Sequence, residues 1–172
     1  MVLFLWNIRG TFITDPLFVI GFLGEYEVSL DQKGRFLMPA GFRKQLPDGT
    51  VSDRFVLNRG FETCLTLYPM FVWEEISAKI ARLNDFNPKA REFKRLFLNG
   101  ATIVELDAAG RINLPNPLME YAGLSKEMVF AAQGNKVELW DKTTYYEYLR
   151  KAAYSFSDLA AEVAGTDFLN DL

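Results

Sequence analysis

Two short stretches of this chain carry residues able to do chemistry, and they carry the same ones: Asp31-Gln-Lys-Gly34-Arg35 and Asp107-Ala-Ala-Gly110-Arg111. In each, an Asp side chain can accept hydrogen bonds from backbone N–H groups a few residues on, and the Gly can take the positive φ that closes a tight turn. The Arg at the end offers a planar fork of donors suited to phosphate oxygens or to the O6/N7 edge of guanine. Lys33 stands inside the first turn, with Arg43 and Lys44 a few residues beyond. Residues 31–46 thus hold four cations against one Asp, a net charge of +3. An enzymatic use would pair Asp31 with Asp107 as two carboxylates that activate water across a dyad. That use competes poorly, because an Arg four residues on keeps each Asp ionised and no Asp-Thr/Ser-Gly sequence is present.

The rest of the composition narrows the chemistry further. The chain of 172 residues has no histidine, which removes Ser-His and Cys-His nucleophile pairs and the usual imidazole ligands of zinc and iron. Its single cysteine, Cys64, cannot form an intramolecular disulfide and reads as a buried small apolar residue. The expectation is therefore a protein with no catalytic residues, no metal and no cofactor. Net charge is −3, but residues 1–99 hold 13 Lys/Arg against 11 Asp/Glu while residues 100–172 hold 6 against 11. The basic charge is local: the first turn, and a second cluster at Lys89, Arg91, Lys94 and Arg95 that reads as a solvated helix face.

The elements that must position the two turns are legible because the chain contains one unit twice. GEYEVSLDQKGRFLMP, residues 24–39, aligns without gaps on GATIVELDAAGRINLP, residues 100–115, at a constant offset. Tyr26, Val28 and Leu30, like Thr102, Val104 and Leu106, have the period-two spacing of a half-buried strand. Phe36–Met38 and Ile112–Leu114 predict a second strand, ended by Pro39 or Pro115 and followed by a short helix. A hairpin comes next: Phe55–Leu57, a turn at Asn58-Arg59-Gly60, then Leu65–Tyr68, matched by Met128–Phe130, Gln133-Gly134-Asn135 and Val137–Trp140. Helices follow from about Met70 and about Thr143. Between the units, Asn87-Pro88 predicts the start of a helix with Phe93, Leu96 and Phe97 on its apolar side, ending at Asn99-Gly100. A folded connection implies two units packed as an intrachain pseudo-dimer.

In order along the chain, the motifs FLGEYEVSLDQKGRFLMPAGFRKQL, NRGFETCLTLYPMFVW, REFKRLFLNGATIVELDAAGRINLP, LMEYAGL and VELWDK resemble the MraZ family, within the AbrB/SpoVT-like group of transition-state regulators. The likeness covers residues 22 to about 150. It implies an α+β, mainly β fold of two tandem AbrB/SpoVT-like swapped-hairpin β-barrel units, with helices between and after them. The division expected is an extension over 1–21, a first unit over 22–76, a helical connection over 77–99, a second unit over 100–149, and a C-terminal helix and tail over 150–172. The resemblance further implies a cytoplasmic, nucleoid-associated transcription regulator that binds double-stranded DNA at direct repeats in the promoter of its own division and cell-wall gene cluster. It implies a ring-shaped homo-oligomer and no membrane partner.

By this likeness the DNA-binding residues are Lys33, Arg35, Arg43, Lys44 and Arg111, with Asp31, Gly34, Asp107 and Gly110 shaping the turns. The second unit departs from the pattern. Ala108-Ala109 replace polar or basic turn residues, and Met119 stands where many relatives have an Arg, leaving Arg111 almost alone. The first unit is therefore expected to dominate DNA contact, with Arg43 and Lys44 on the short helix just behind its turn.

The alternative is an AbrB-like scaffold or protein-partner module whose basic turns serve acidic protein surfaces. Residues 1–21 have no uninterrupted apolar run of the ~18–20 residues needed to span a bilayer and no signal-peptide pattern. They read as lying outside the fold, either as an upstream-extended reading frame or loose extension, or as an added strand or oligomer contact. In the tail, Phe156, Leu159, Ala160 and Val163 space out as one apolar helix side.

Overall fold

A computed structural model describes residues 21–47, 54–153 and 156–162 of the chain. The elements are β1 (Glu25–Ser29), β2 (Arg35–Leu37), α1 (Ala40–Arg43), β3 (Arg54–Arg59), β4 (Leu65–Pro69), α2 (Met70–Ala81) and α3 (Pro88–Leu98). The second half adds β5 (Thr102–Glu105), β6 (Arg111–Asn113), α4 (Asn116–Tyr121), β7 (Glu127–Gln133), β8 (Lys136–Asp141) and α5 (Lys142–Ala153). Residues 156–162 are helical, with Phe156 and Leu159 exposed. Val163 and the expectation for residues 1–20 lie outside the described residues.

The strands form a six-stranded antiparallel sheet in the order β1-β7-β8-β4-β3-β5 and a separate two-stranded ribbon of β2 with β6. That order reads the same from either end once the two repeats are exchanged. The registers obey the same exchange. Tyr26 pairs with Phe130 and Thr102 with Leu57; Phe36 pairs with Ile112, its own repeat equivalent, and Thr66 with Glu138. A pseudo-dyad therefore runs through the β2/β6 ribbon and the β4/β8 pair. Each unit gives its first strand to the other unit's hairpin, so the two units are swapped into one α+β, mainly β fold.

Alternation decides which side of each strand joins the core. Phe55, Leu57, Leu65, Leu67, Met128, Phe130, Val137 and Leu139 face inward, where Phe36 and Ile112 of the ribbon and Phe42 and Leu118 of the short helices meet them. The central strands are buried on the outer face as well, because α2 and α5 cover it: Trp73 lies 5.7 Å from Tyr68, and Tyr145 lies 6.0 Å from Trp140. This explains why these strands read as nearly continuous apolar runs. Cys64 is fully buried, as its composition context predicted.

One turn falls later than the sequence suggests. Asn58 and Arg59 continue β3, and the bend runs from Gly60 to Cys64, closed by Gly60 N–H donating to Cys64 O at 2.8 Å. Asn58 stays in the strand because its Nδ2 donates 2.8 Å to the carbonyl of Phe97 at the end of α3, a tertiary partner that outweighs its turn propensity. The helix α3 starts as expected, with the Asn87 side chain accepting from Lys89 N at 2.9 Å and Pro88 at the first position. The second basic cluster has structural work. Lys94 caps the end of α2 at Leu83 O (2.9 Å) and pairs with Asp85 (2.6 Å), while Arg91 donates to Asp85 O.

Candidate nucleic-acid interface

The two Asp-x-x-Gly-Arg turns are built alike, atom for atom. In the first, Asp31 Oδ1 accepts the backbone N–H of Lys33 (2.8 Å) and of Arg35 (3.0 Å), while Oδ2 accepts Arg35 Nε at 2.8 Å and lies 2.7 Å from Nη2. In the second, Asp107 Oδ1 accepts Ala109 N and Arg111 N, each at 2.9 Å, and Oδ2 accepts Arg111 Nε at 2.9 Å with Nη2 at 2.8 Å. Gly34 and Gly110 take φ of 73° and 76°, the conformation that the turn chemistry predicted for them.

Four donors on one carboxylate fix its charge. The Arg35 guanidinium, helped by the backbone N–H groups, holds Asp31 down to about 2, and Arg111 does the same to Asp107 in direction. Arg111 is in turn pushed up, first by Asp107 and in smaller part by the charge of Asp31 across the ribbon. These acids stay ionised over the physiological range, which leaves no tuned proton donor for a catalytic pair. They also restrain the Arg side chains. The guanidinium forks do not reach freely into solvent: one edge of each is held by its own Asp, and the side chains are 26% and 34% exposed.

The ribbon sets which residues share the outer surface. Phe36 and Ile112 point inward, so Arg35, Leu37, Arg111 and Asn113 lie together on the opposite face, with Arg35 beside Asn113 and Arg111 beside Leu37. Arg35 and Arg111 are diagonal neighbours on this face, a separation of about 7–8 Å at the backbone. Leu37 and Asn113 were not singled out by the sequence motifs. The alternation about Phe36 and Ile112 was the signal that places them here.

The expected partnership of Arg43 with the first turn is corrected. The C-terminal end of β2 lies against the N-terminal end of β6, with Met38 N–H donating to Gly110 O at 3.0 Å. The helix after Pro39 therefore begins beside the second turn. Arg43 Nη1 lies 3.5 Å from where a Cβ on Gly110 would stand. By the pseudo-dyad, Met119 occupies the matching place over the first turn, its Cε 3.1 Å from the Cβ position of Gly34. Arg43 therefore stands beside the second turn, not behind the first. Lys33 and Lys44 are exposed, the latter as the residue after α1.

Comparison with known proteins agrees with this duplicated architecture. A family described as "MraZ protein, putative antitoxin-like" matches twice, over residues 22–96 and 97–167. A protein of Natranaerobius thermophilus named "Transcriptional regulator MraZ" is 42% identical over 146 residues, covering 85% of this chain and 99% of that relative. This chain belongs to the MraZ family. The solution structure of PHS018 from Pyrococcus horikoshii is similar over 69% of this chain and 87% of that one, at 14% identity and a TM-score of 0.29.

Other polar groups of this MraZ-family chain serve its folding. Glu62, Cys64 and Glu138 place one potential metal ligand each within 4.8 Å of one another. Burial, with Glu138 nearby, pushes the Cys64 thiol up to about 12, so it is protonated at neutral pH. The Glu138 carboxylate is engaged by Lys136 Nζ (2.8 Å), Trp140 Nε1 (3.0 Å) and Gln133 Nε2 (3.2 Å). No helix among the described residues is long and apolar enough to cross a membrane.

Proposed function

We propose that this chain is a sequence-specific DNA-binding transcriptional regulator, and not an enzyme, that reads direct repeats in the promoter of its own division and cell-wall gene cluster. The observation that carries this reading is the pair of identically wired turns whose Arg35 and Arg111 share one exposed ribbon face. The printed name of the Natranaerobius relative supports it. Each Asp positions its Arg by holding the Nε–Nη2 edge, leaving the Nη1 side for a phosphate or a guanine edge, so the fork meets DNA already oriented.

The first turn, with Asp31, Lys33 and Arg35, has a net charge of +1, and the second, with Asp107 and Arg111, is neutral by itself. One chain neutralises only a few phosphates, a contact worth about 10⁻⁴–10⁻⁶ M on its own. Tight binding by an acidic chain therefore calls for several copies on one surface. A ring-shaped homo-oligomer, acting in the cytoplasm on nucleoid DNA, supplies them: binding at one repeat raises the effective concentration at the next and adds about 10²–10⁴ in avidity.

The test is fluorescence anisotropy of the full chain and of Arg35→Ala, on duplex from upstream of its own gene and on a shuffled copy, at several salt concentrations. The expected result is tight, cooperative, salt-sensitive binding to the native duplex, at least tenfold weaker in the variant, with the oligomer unchanged by light scattering. Equal, weak binding to both duplexes would instead assign the turns to an oligomeric scaffold or a protein-partner module.

A further inference from the structure

We infer that a cavity at the β3–β4 bend is the docking site for this chain's own C-terminal tail, with Phe168 entering among aromatic rings and a flanking carboxylate, Asp167 or Asp171, meeting Arg59. The cavity shares no residue with the two Asp-x-x-Gly-Arg turns and does not depend on what they bind. It measures about 300 Å³, and its walls are Arg59 at the end of β3, Phe61 in the bend, Phe93, Leu96 and Phe97 of α3, and Tyr121 of α4. These walls are held from behind. Tyr121 Oη donates to Gly60 O at 2.9 Å, and Phe97 stacks on Trp73 at 6.0 Å. The apolar lining is nonetheless open, with Phe61 78% and Leu96 64% exposed. Apolar surface concentrated on walls already fixed is the form of a binding site.

Charge selects the occupant. The Arg59 guanidinium lies 4.8 Å from the centroid of the Tyr121 ring, and its Nε is buried with no hydrogen-bond partner among the described residues. A buried donor left without an acceptor is costly until one arrives. No acid lines the cavity; Glu62, next along the bend, lines the neighbouring groove instead. The wall formed by α3 adds Lys89, Arg91, Lys94 and Arg95 against Glu92 alone. The fold itself does not require the cation, because the registers place Ala132 at the position on β7 that matches Arg59 on β3. An apolar side chain next to a carboxylate is what fits. Residues 1–20 are apolar but neutral, with one Arg and one Asp, whereas residues 163–172, VAGTDFLNDL, set Phe168, Leu169 and Leu172 beside Asp167 and Asp171 with no cation.

The path of the chain brings this segment within reach. Tyr148 and Lys151 of α5 line a groove of about 350 Å³ together with Glu62 and Thr63, so α5 ends beside the same bend that carries Phe61. The helix over 156–162 is only about 10 Å long at 1.5 Å per residue, while the ten residues after it span about 33 Å when extended. The tail can therefore return to the cavity whichever way that helix points. A tether this short gives an effective concentration in the millimolar range, enough for a contact too weak to form between separate molecules.

Photo-cross-linking of the full chain tests the docking, with benzoylphenylalanine in place of Leu169 and a mixture of isotopically light and heavy copies. Cross-links should map to the peptides holding Phe61, Phe93 and Leu96, and should join segments of one isotope. Phe168→Ala, and Asp167→Asn combined with Asp171→Asn, should each lower the yield at those peptides by up to about tenfold, the loss of one buried aromatic or one charge-assisted contact. Arg59→Gln should do the same, with thermal melting as the check on folding. The tail variants leave the cavity walls unchanged, so they decide the matter even where Arg59→Gln fails to fold. Cross-links scattered over the surface, or a yield that ignores either the Phe168 or the paired Asp substitutions, would overturn the docking. Links joining light to heavy copies would assign the cavity to the tail of a second copy and overturn docking within one chain.

Discussion

Replacing Asp31 by Asn separates the two things that this carboxylate does. Its Oδ1 closes the turn by accepting Lys33 N and Arg35 N at 2.8 and 3.0 Å, and its Oδ2 neutralises and orients the Arg35 guanidinium at 2.7–2.8 Å. An Asn carbonyl keeps the first role and abandons the second, so Asp31→Asn should fold with an intact turn whose net charge rises from +1 to +2. Asp31→Ala removes both roles. If one further phosphate is neutralised by the released charge, the salt slope of Asp31→Asn steepens by ~0.9, so that affinity falls about 3.5-fold more than in wild type between 50 and 200 mM salt.

Because the released guanidinium is no longer held in one orientation, the preference for native over shuffled duplex should narrow as the slope steepens. Asp31→Ala should bind both duplexes more weakly than Asp31→Asn, since the turn has lost its backbone acceptors. The assay is the same anisotropy titration over a salt series, with Kd ratios for the two duplexes. If Asp31→Ala kept wild-type preference, or Asp31→Asn discriminated better than wild type, the positioning role assigned to Asp31 would be refuted.

Three further outcomes follow from the same geometry. Because Asp31 is held down to about 2 in the fold, from an ordinary value near 3.8, its stabilising pair is complete above about pH 4 and lost as pH falls towards 2. The Tm of wild type should therefore drop more steeply than that of Asp31→Asn across that window. Cys64, fully buried with its thiol pushed up to about 12, should resist a thiol-disulfide reagent at pH 8 and react only at the rate of unfolding. Phe36, fully buried on the pseudo-dyad beneath both turns, should cost about 3–5 kcal/mol on replacement by Ala, read by denaturant unfolding. A loss under 1 kcal/mol there would mean that the ribbon is not seated in the core as described.

The sequence by itself determined the local units. Period-two spacing at Tyr26-Val28 and Thr102-Val104, the prolines after β2 and β6, the Asn87-Pro88 helix start and the glycines of both turns are all choices settled within a few residues. Each is enforced by backbone sterics or a nearby side-chain acceptor. The repeat also announced that the two units would pack together, and the turn residues Asp31, Gly34, Arg35, Asp107, Gly110 and Arg111 were legible from their motif. What only the tertiary structure decided is which residues of one unit meet which of the other. Asn58 looked like a turn residue until Phe97 offered its carbonyl. Arg43 looked like a companion of Arg35 because eight residues of sequence separate them, whereas its neighbour in space is Gly110. The reason is the swap: an antiparallel ribbon between repeats sends each strand's end to the other unit's turn, and no pattern within either repeat records that crossing.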